Sequence, residues 1–363
     1  MRPNRILARA AAISLALGLA SQAPYFRTSA QSADTTRSHL INGANERQRP
    51  PLRQGRYGEV SPELSAKAEV SLASGVGLGA EPVGESQGRS PSDKDVAVGP
   101  QYDTTHVYVD PQDFDRFVAS VIATFGGTKA QEGVATVTPT PSSTRMQLVL
   151  TPVGTLSVFG FNTPIPYPFG VERTGYLVTN LDEAIRAARA TGADVLVVPF
   201  NDPIGRDAII QWPGGVNTQL YWHTTPPSYP ALQTVPENRV YVSSDRVGAF
   251  VRSFLDFSHG RVLSDDVQAP GVEIGRPAET YRRIRIESTF GKLTALATDG
   301  HLPYPYGREI MGYEVTNLAD TLTKAKAAGV DVLVPPYETD EREAVVVQFP
   351  GGYIAEVHAT VQR

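Results

Sequence analysis

From residue 106 onward the chain alternates between two rhythms of apolar positions. A period of two marks half-buried strands, and a period near 3.6 marks helices packed on one side. HVYVD at His106–Asp110 has the first rhythm and predicts a strand. DFDRFVASVIATFGG has the second: Phe114, Phe117, Val118 and Val121 share a helix face, and Gly126–Gly127 ends it. Strand patterns return around Val134–Pro139 and Met146–Thr151, and after Gly154 the run TLSVFGF closes a βαβββ unit. A second unit follows in the same order, with strand Gly175–Thr179 and helix Leu181–Thr191, stopped by Gly192. Strands Val195–Val198 and Ala208–Trp212 come next, and a turn at Pro213–Gly215 leads into VNTQLYW.

The order then starts again. Residues 166–181 read PYPFGVERTGYLVTNL and residues 303–318 read PYPYGREIMGYEVTNL, identical at 11 of 16 positions at an offset of 137. Unrelated segments of ordinary composition would agree at about one. The offset persists downstream, from Gly192/Gly329 and Asp194/Asp331 to Gln211/Gln348 and Gly215/Gly352. Upstream, RVYVSS at Arg239–Ser244 answers HVYVDP at an offset of 133, with Tyr108/Tyr241, Phe117/Phe250 and Gly127/Gly260 in register. The chain is a tandem duplication of a two-module unit. Its expected organisation is domain 1 at 101–226 (modules one and two), a linker at 227–238, and domain 2 at 239–363 (modules three and four).

What precedes the modules changes the picture of where they work. Arg2, Arg5 and Arg9 followed by the apolar run Ala10–Ala20 have the layout of a secretion signal, so residues 1–30 are expected to be removed on export to the periplasm or beyond. Residues 31–100 are rich in Ser, Gly, Pro, Arg and Glu without either rhythm, the composition of a disordered low-complexity leader. There is no cysteine, which excludes disulfides, thiolate catalysis and Cys-ligated metal. A net charge of −5 with no basic stripe argues against a nucleic-acid partner. No membrane span is expected in the mature form; a small-molecule ligand is, in a monomer or homodimer.

Four βαβββ modules with "D/N-L-x-x-A" helix starts and "P-G-G" closes resemble the vicinal-oxygen-chelate superfamily of glyoxalase I, bleomycin-resistance proteins and extradiol dioxygenases. The resemblance covers residues 101–361 and implies an α+β fold in which modules pair into two half-open barrels, or cups. It also implies where ligands of a divalent metal (Fe, Mn, Zn or Ni) would stand. The opening-strand positions are His106, Arg173, Arg239 and Ile310, and the closing-strand positions are Val158, Gln219, Ala295 and Glu356. The family's His–His–Glu pattern is thus absent from both halves. Sequential pairing gives one cup His106, Arg173 and Gln219, and the other Arg239 and Glu356. Pairing of modules one and four would instead bring His106 to Glu356 and to His358, two residues along the same strand face, as a two-His, one-carboxylate metal set.

Glu356 is the expected catalytic residue in that case, binding the metal or moving a proton; the alternative is a structural ion pair with Arg239. Tyr108, Arg173, Gln219, Arg239, Tyr241 and Glu314 are the expected substrate contacts. The duplicated PYPxG loop holds Tyr167 and Tyr304 between prolines, either as a rim over a cup or as a packed connection, and Glu172 and Glu309 persist in both copies. Two functions follow from the resemblance: a metal-dependent lyase, isomerase or dioxygenase acting on vicinal oxygens, or a metal-free protein that binds or sequesters a small molecule.

Overall fold

The computed structural model describes residues 95–339 and 341–361. The expected signal (1–30) and nearly all of the expected leader lie outside the described residues. The end of that leader is folded, however. Val96 is buried in a hydrophobic core, Ala97 bridges to Val178, and Pro100–Tyr102 makes a 3₁₀ turn. The boundary at 100 therefore lies too late: the short run Val96–Val98 finds a strand edge to pair with, too brief to show a period.

Module one comprises β1 (Thr104–Tyr108), α1 (Phe114–Phe125), the short pieces β2 (Thr128–Lys129) and β3 (Gly133–Ala135), β4 (Thr144–Thr151) and β5 (Gly154–Phe161). Module two comprises β6 (Arg173–Leu177), α2 (Leu181–Ala190), β7 (Asp194–Asn201), β8 (Gly205–Gln211) and β9 (Asn217–His223). Module three has β10 (Glu237–Ser243), α3 (Val247–Ser258), β11 (Arg261–Pro270), β12 (Thr280–Ser288) and β13 (Gly291–Thr298). Module four has β14 (Ile310–Glu314), α4 (Leu318–Ala327), β15 (Asp331–Glu338), β16 (Arg342–Gln348) and β17 (Ile354–Thr360). The strand expected at Val134–Pro139 shrinks to β3, because Pro139 and Pro141 have no N–H to give a ladder.

Strand pairing decides which modules share a cup. One mixed sheet runs β2-β4-β5-β1-β6-β9-β8-β7, with β3 beside β4, and the other runs β11-β12-β13-β10-β14-β17-β16-β15. Modules one and two meet where β1 pairs with β6, His106 opposite Arg173; modules three and four meet where β10 pairs with β14, Arg239 opposite Ile310. The other faces of the strands follow a different partnership. One large core joins module two to module three, with Trp212 and Tyr176 against Phe254, Phe257 and Phe290. The second joins module one to module four, with Phe117 edge-on to Phe349 and Tyr353, and Phe125 against Tyr313.

The duplicated motifs now have local reasons. Asn180 and Asn317 of the two TNL sequences are N-caps whose side-chain oxygens accept from Glu183 N (3.1 Å) and Asp320 N (2.9 Å). Gly192 and Gly329, at φ of 99° and 80°, end the same two helices in a conformation that other residues resist. The PGG turns press on the opposite sheet: a Cβ on Gly214 would stand 2.7 Å from Val242 Cγ1, and one on Gly351 3.0 Å from Val109 Cγ1.

Candidate functional site

Alternation by two sends His106 and Tyr108 from β1, Phe159 from β5, Gln219 and Tyr221 from β9 and Asp207 from β8 to the concave face of the first sheet. There they line a cavity of about 110 Å³. Its floor is set by Arg173, which is 2% exposed. Nε and Nη2 donate to Gln219 Oε1 (3.2 and 3.0 Å), Nη1 to the Pro168 and Val171 carbonyls (3.2 and 3.1 Å), and Nη2 also to Tyr108 Oη (2.7 Å). A guanidinium has five N–H bonds to give, and these contacts use all of them. Arg173 is thus a strut for the cup, with Phe169 and Tyr108 under its planar group (5.3 and 5.5 Å to the ring centroids).

The chain of polar contacts continues from Gln219 Nε2, which donates to Asp207 Oδ2 (3.0 Å). Burial, reinforced by the neighbouring Asp202 carboxylate, pushes the Asp207 pKa well up despite Arg173 and Gln219. His106 is pulled the other way. Burial, and then the charge of Arg173, bring its pKa down to about 3, so the imidazole is neutral. Its ring stacks on Phe159 (5.5 Å, 8°), and its Nδ1 is buried without a hydrogen-bond partner. Room for the ring comes from Gly175, where a Cβ would lie 2.1 Å from His106 Cε1. The cavity therefore offers aromatic faces, a neutral imidazole and the carboxyls of Asp202 and Asp207, beside an arginine whose N–H groups are all engaged.

The second cup has the same plan with charged walls, and keeps a cavity of about 240 Å³ lined by Glu237, Arg285, Thr294, Arg342 and His358. Arg239 Nε meets Glu356 Oε2 at 2.6 Å and Nη1 meets Glu237 Oε1 at 2.9 Å. Arg342 bonds Glu237 Oε2 (2.9 Å) and Glu356 Oε1 (3.3 Å), and Arg283 pairs with Glu273. Tyr281 Oη donates to Glu273 Oε2 (2.6 Å). Burial would raise the Glu356 pKa, but Arg239, His358 and Arg342 bring it down to about 2. Three glutamates and three arginines cross this interior as a connected network.

The expected metal set is not brought together. His106 lies in the first sheet, Glu356 and His358 in the second, because β1 pairs with β6 and never with β17. Modules one and four do meet, but across their helix-side core, not in a cup. His358 Nδ1 sits 3.1 Å from Glu356 Oε1, and Glu356 is engaged with Arg239 and Arg342, which is the ion-pair alternative. Of the expected substrate contacts, Tyr108 and Gln219 line the first cavity and Arg173 supports it. Arg239 and half-buried Tyr241 lie in the second cup, and Glu314 binds Lys292 Nζ (3.1 Å) and Thr360 Oγ1 (2.9 Å) at its edge.

Val158 and Ala295 point into the cores instead of the cups. In modules one and three the closing hairpin is tighter, with Thr151 opposite Gly154, whereas in module two Gln211 stands opposite Asn217. That difference in turn length moves the inward position by one residue, to Ser157 and Thr294, beside His106 and Arg239.

In the PYPxG loops, Tyr167 and Tyr304 are 83% and 63% exposed, and the aromatics that turn inward are Phe169 and Tyr306. Glu309 does reach inside, though not into a cup: its Oε1 accepts from Thr174 N and Oγ1, both at 2.9 Å, across the two sheets. Sequence reasoning also missed Asp207, Glu237, Glu273, Arg283 and Arg342. Asp207 and Arg342 sit in otherwise apolar strands, RDAIIQW and REAVVVQF, and a charge in such a strand was the available signal.

Metal ligation tests poorly against these donors. Among the described residues no three His, Asp or Glu side chains converge as ligands. Gln219 Oε1 already accepts twice from a cation, and Glu356 is shared between two arginines.

No family model and no curated protein matches the chain. Solved structures do. A triple mutant of 4-hydroxymandelate synthase from Streptomyces coelicolor matches with a TM-score of 0.49 and 12% identity over 74% of this chain and 93% of its own. A 2,3-dioxygenase from a Pseudomonas species matches with 0.46 and 10% over 74% and 95%, and the Mn(II)-bound glyoxalase from Novosphingobium aromaticivorans with 0.45 and 14% over 74% and 85%. The α+β fold stands on the strand order itself, four βαβββ modules in two mixed sheets. Identities and TM-scores this low carry nothing about activity, which rests on the side chains.

Proposed function

We propose that the first cup binds a small, uncharged, planar molecule bearing a hydrogen-bonding group, and that it does so without a resident metal. The observation that carries this reading is the contrast between the cups. The first cavity is walled by Tyr108, Phe159, Phe169 and Tyr221 and holds the unpartnered Nδ1 of His106 beside Asp207, while the second cup's cavity, about 240 Å³, is lined by the charged groups Glu237, Arg285, Lys292, Glu314 and Arg342. Aromatic walls supply the apolar area, and His106 and Asp207 select a ligand that carries a hydrogen-bonding group. An anionic ligand is disfavoured, since the only buried cation there has no N–H left to give.

A second reading is supported by the same pair. An imidazole and a carboxyl facing one cavity are the groups by which a metal-free isomerase or lyase moves a proton. We also propose, on the layout of residues 1–30, that the protein works outside the cytoplasm; cell fractionation with an antibody checks it.

The test is a thermal-shift and calorimetric screen of small phenols, aromatic aldehydes and diols, run with and without chelator. Binding should survive chelation, weaken about tenfold or more in Tyr108→Phe or Asp207→Asn, and be unchanged in Tyr241→Phe. Binding that vanishes with chelator, or that follows Tyr241 and not Tyr108, overturns the proposal. Turnover of a bound compound that is lost in His106→Gln favours the enzyme; binding without turnover favours sequestration.

A further inference from the structure

Between the two sheets lies a second, much smaller cavity of about 20 Å³, bounded by Asp103 and Thr105 from the first lobe and Asn238 and Met311 from the second. Asp103 is 8% exposed and neither of its carboxylate oxygens has a hydrogen-bond partner. Asn238, 3% exposed, likewise leaves Oδ1 unpartnered, its amide lying near Glu309 and Tyr176. Buried acceptors without donors are rare, and three of them, on two residues, face one cavity beside the unpartnered hydroxyl of Thr104, a set of oxygens that suits a positive occupant. The one nearby lysine, Lys292, is engaged with Glu314. The Leu177 N–H offsets a part of the burial of Asp103, and burial remains the larger effect.

We propose that this junction cavity binds a dehydrated monovalent cation, Na⁺ or K⁺, with the Asp103 carboxylate and the Asn238 amide oxygen as ligands from opposite lobes. Oxygen-only donors suit a hard cation. A single carboxylate matches one positive charge, whereas sites for divalent calcium gather several carboxylates among their six to eight oxygens. The volume admits one particle of about the size of a water molecule and no organic ligand. Burial with no cation beside it also drives the Asp103 pKa well above the carboxylate range, which a bound cation would reverse. Because its ligands come from both lobes, the ion would clamp the sheets together, independently of what the first cup binds.

The experiment is thermal unfolding of the full chain in choline chloride, with NaCl or KCl replacing it at constant ionic strength. The expected result is a saturating rise in Tm of about 5 °C with one or both alkali ions and none with choline. Asp103→Asn should lose the response, and Asn238→Ala should need about tenfold more salt for the same shift. Should Asp103→Asn fail to fold, the Asn238→Ala titration decides alone. Equal Tm in sodium, potassium and choline overturns the proposal and leaves a water as the occupant. So does an alkali response of full size in either variant.

Discussion

Glu356→Gln separates a structural carboxylate from a catalytic one. The substitution keeps the shape of the side chain and removes its charge, leaving Arg239 and Arg342 facing two buried glutamates with Arg283 in place of three. Breaking a buried ion pair by removing one partner costs about 3–5 kcal/mol, because the other charge stays buried. Titration gives an independent figure. Lowering a carboxyl from its ordinary 4.5 to about 2 corresponds to about 3 kcal/mol, present above pH 4.5 and lost as pH falls toward 2. Both routes agree on about 3–4 kcal/mol at neutral pH. In urea this would move the midpoint by about 1–2 M at an unchanged slope. The gap between wild type and variant should narrow between pH 5 and pH 3, as the unfolded carboxyl protonates before the folded one. The double variant Arg239→Met, Glu356→Leu, which leaves Glu237 with Arg342 and Glu273 with Arg283, should recover most of the loss. A Glu356→Gln protein within about 1 kcal/mol of wild type at pH 7 would refute the reasoning, as would a gap that does not change with pH.

Gly175→Ala forces a methyl against the His106 ring and should cost about 1–3 kcal/mol while abolishing binding in the first cup, read by melting and calorimetry. Arg173→Lys loses the fork that spans Gln219, Tyr108 and two carbonyls; about 2–4 kcal/mol of stability should go with it in urea titration. For Glu309, burial against the Thr174 contacts raises the pKa to about 7. A raised carboxyl favours folding fully below its ordinary 4.5, and that contribution fades as pH climbs to about 7. Its size is at most about 3 kcal/mol, and a pH series in urea should show the slope in wild type and not in Glu309→Gln. Asn317→Ala removes the cap of α4 and should cost about 1 kcal/mol, with no effect on either cup.

The modules, their order and the glycine that stops α2 were legible because they depend on periods and on a repeat, both local properties. The tenants of the cups were harder to read. His106 and Gln219 were found by position, but whether His106 meets Glu356 turns on which strands pair, and β1 choosing β6 is a long-range decision that no window of sequence contains. Val158 and Ala295 went wrong through one residue of turn length, which flips a strand's faces. Glu273 stands on a single 3₁₀ turn after β11 and gave no periodic signal. Glu356 was singled out for the right physical cause, a carboxylate costly to bury alone, and the cause had two outcomes: a metal or an arginine.

The crossed partnership, cups from modules one with two and three with four but cores from one with four and two with three, has an evolutionary reading. Every strand carries its cohesion on one side and its chemistry on the other, and the pleat keeps the two ledgers apart residue by residue. A gene that doubles such a unit inherits a spare interior whose contents can drift without loosening the molecule. One interior here is walled by aromatic rings, and its twin is crossed by opposite charges.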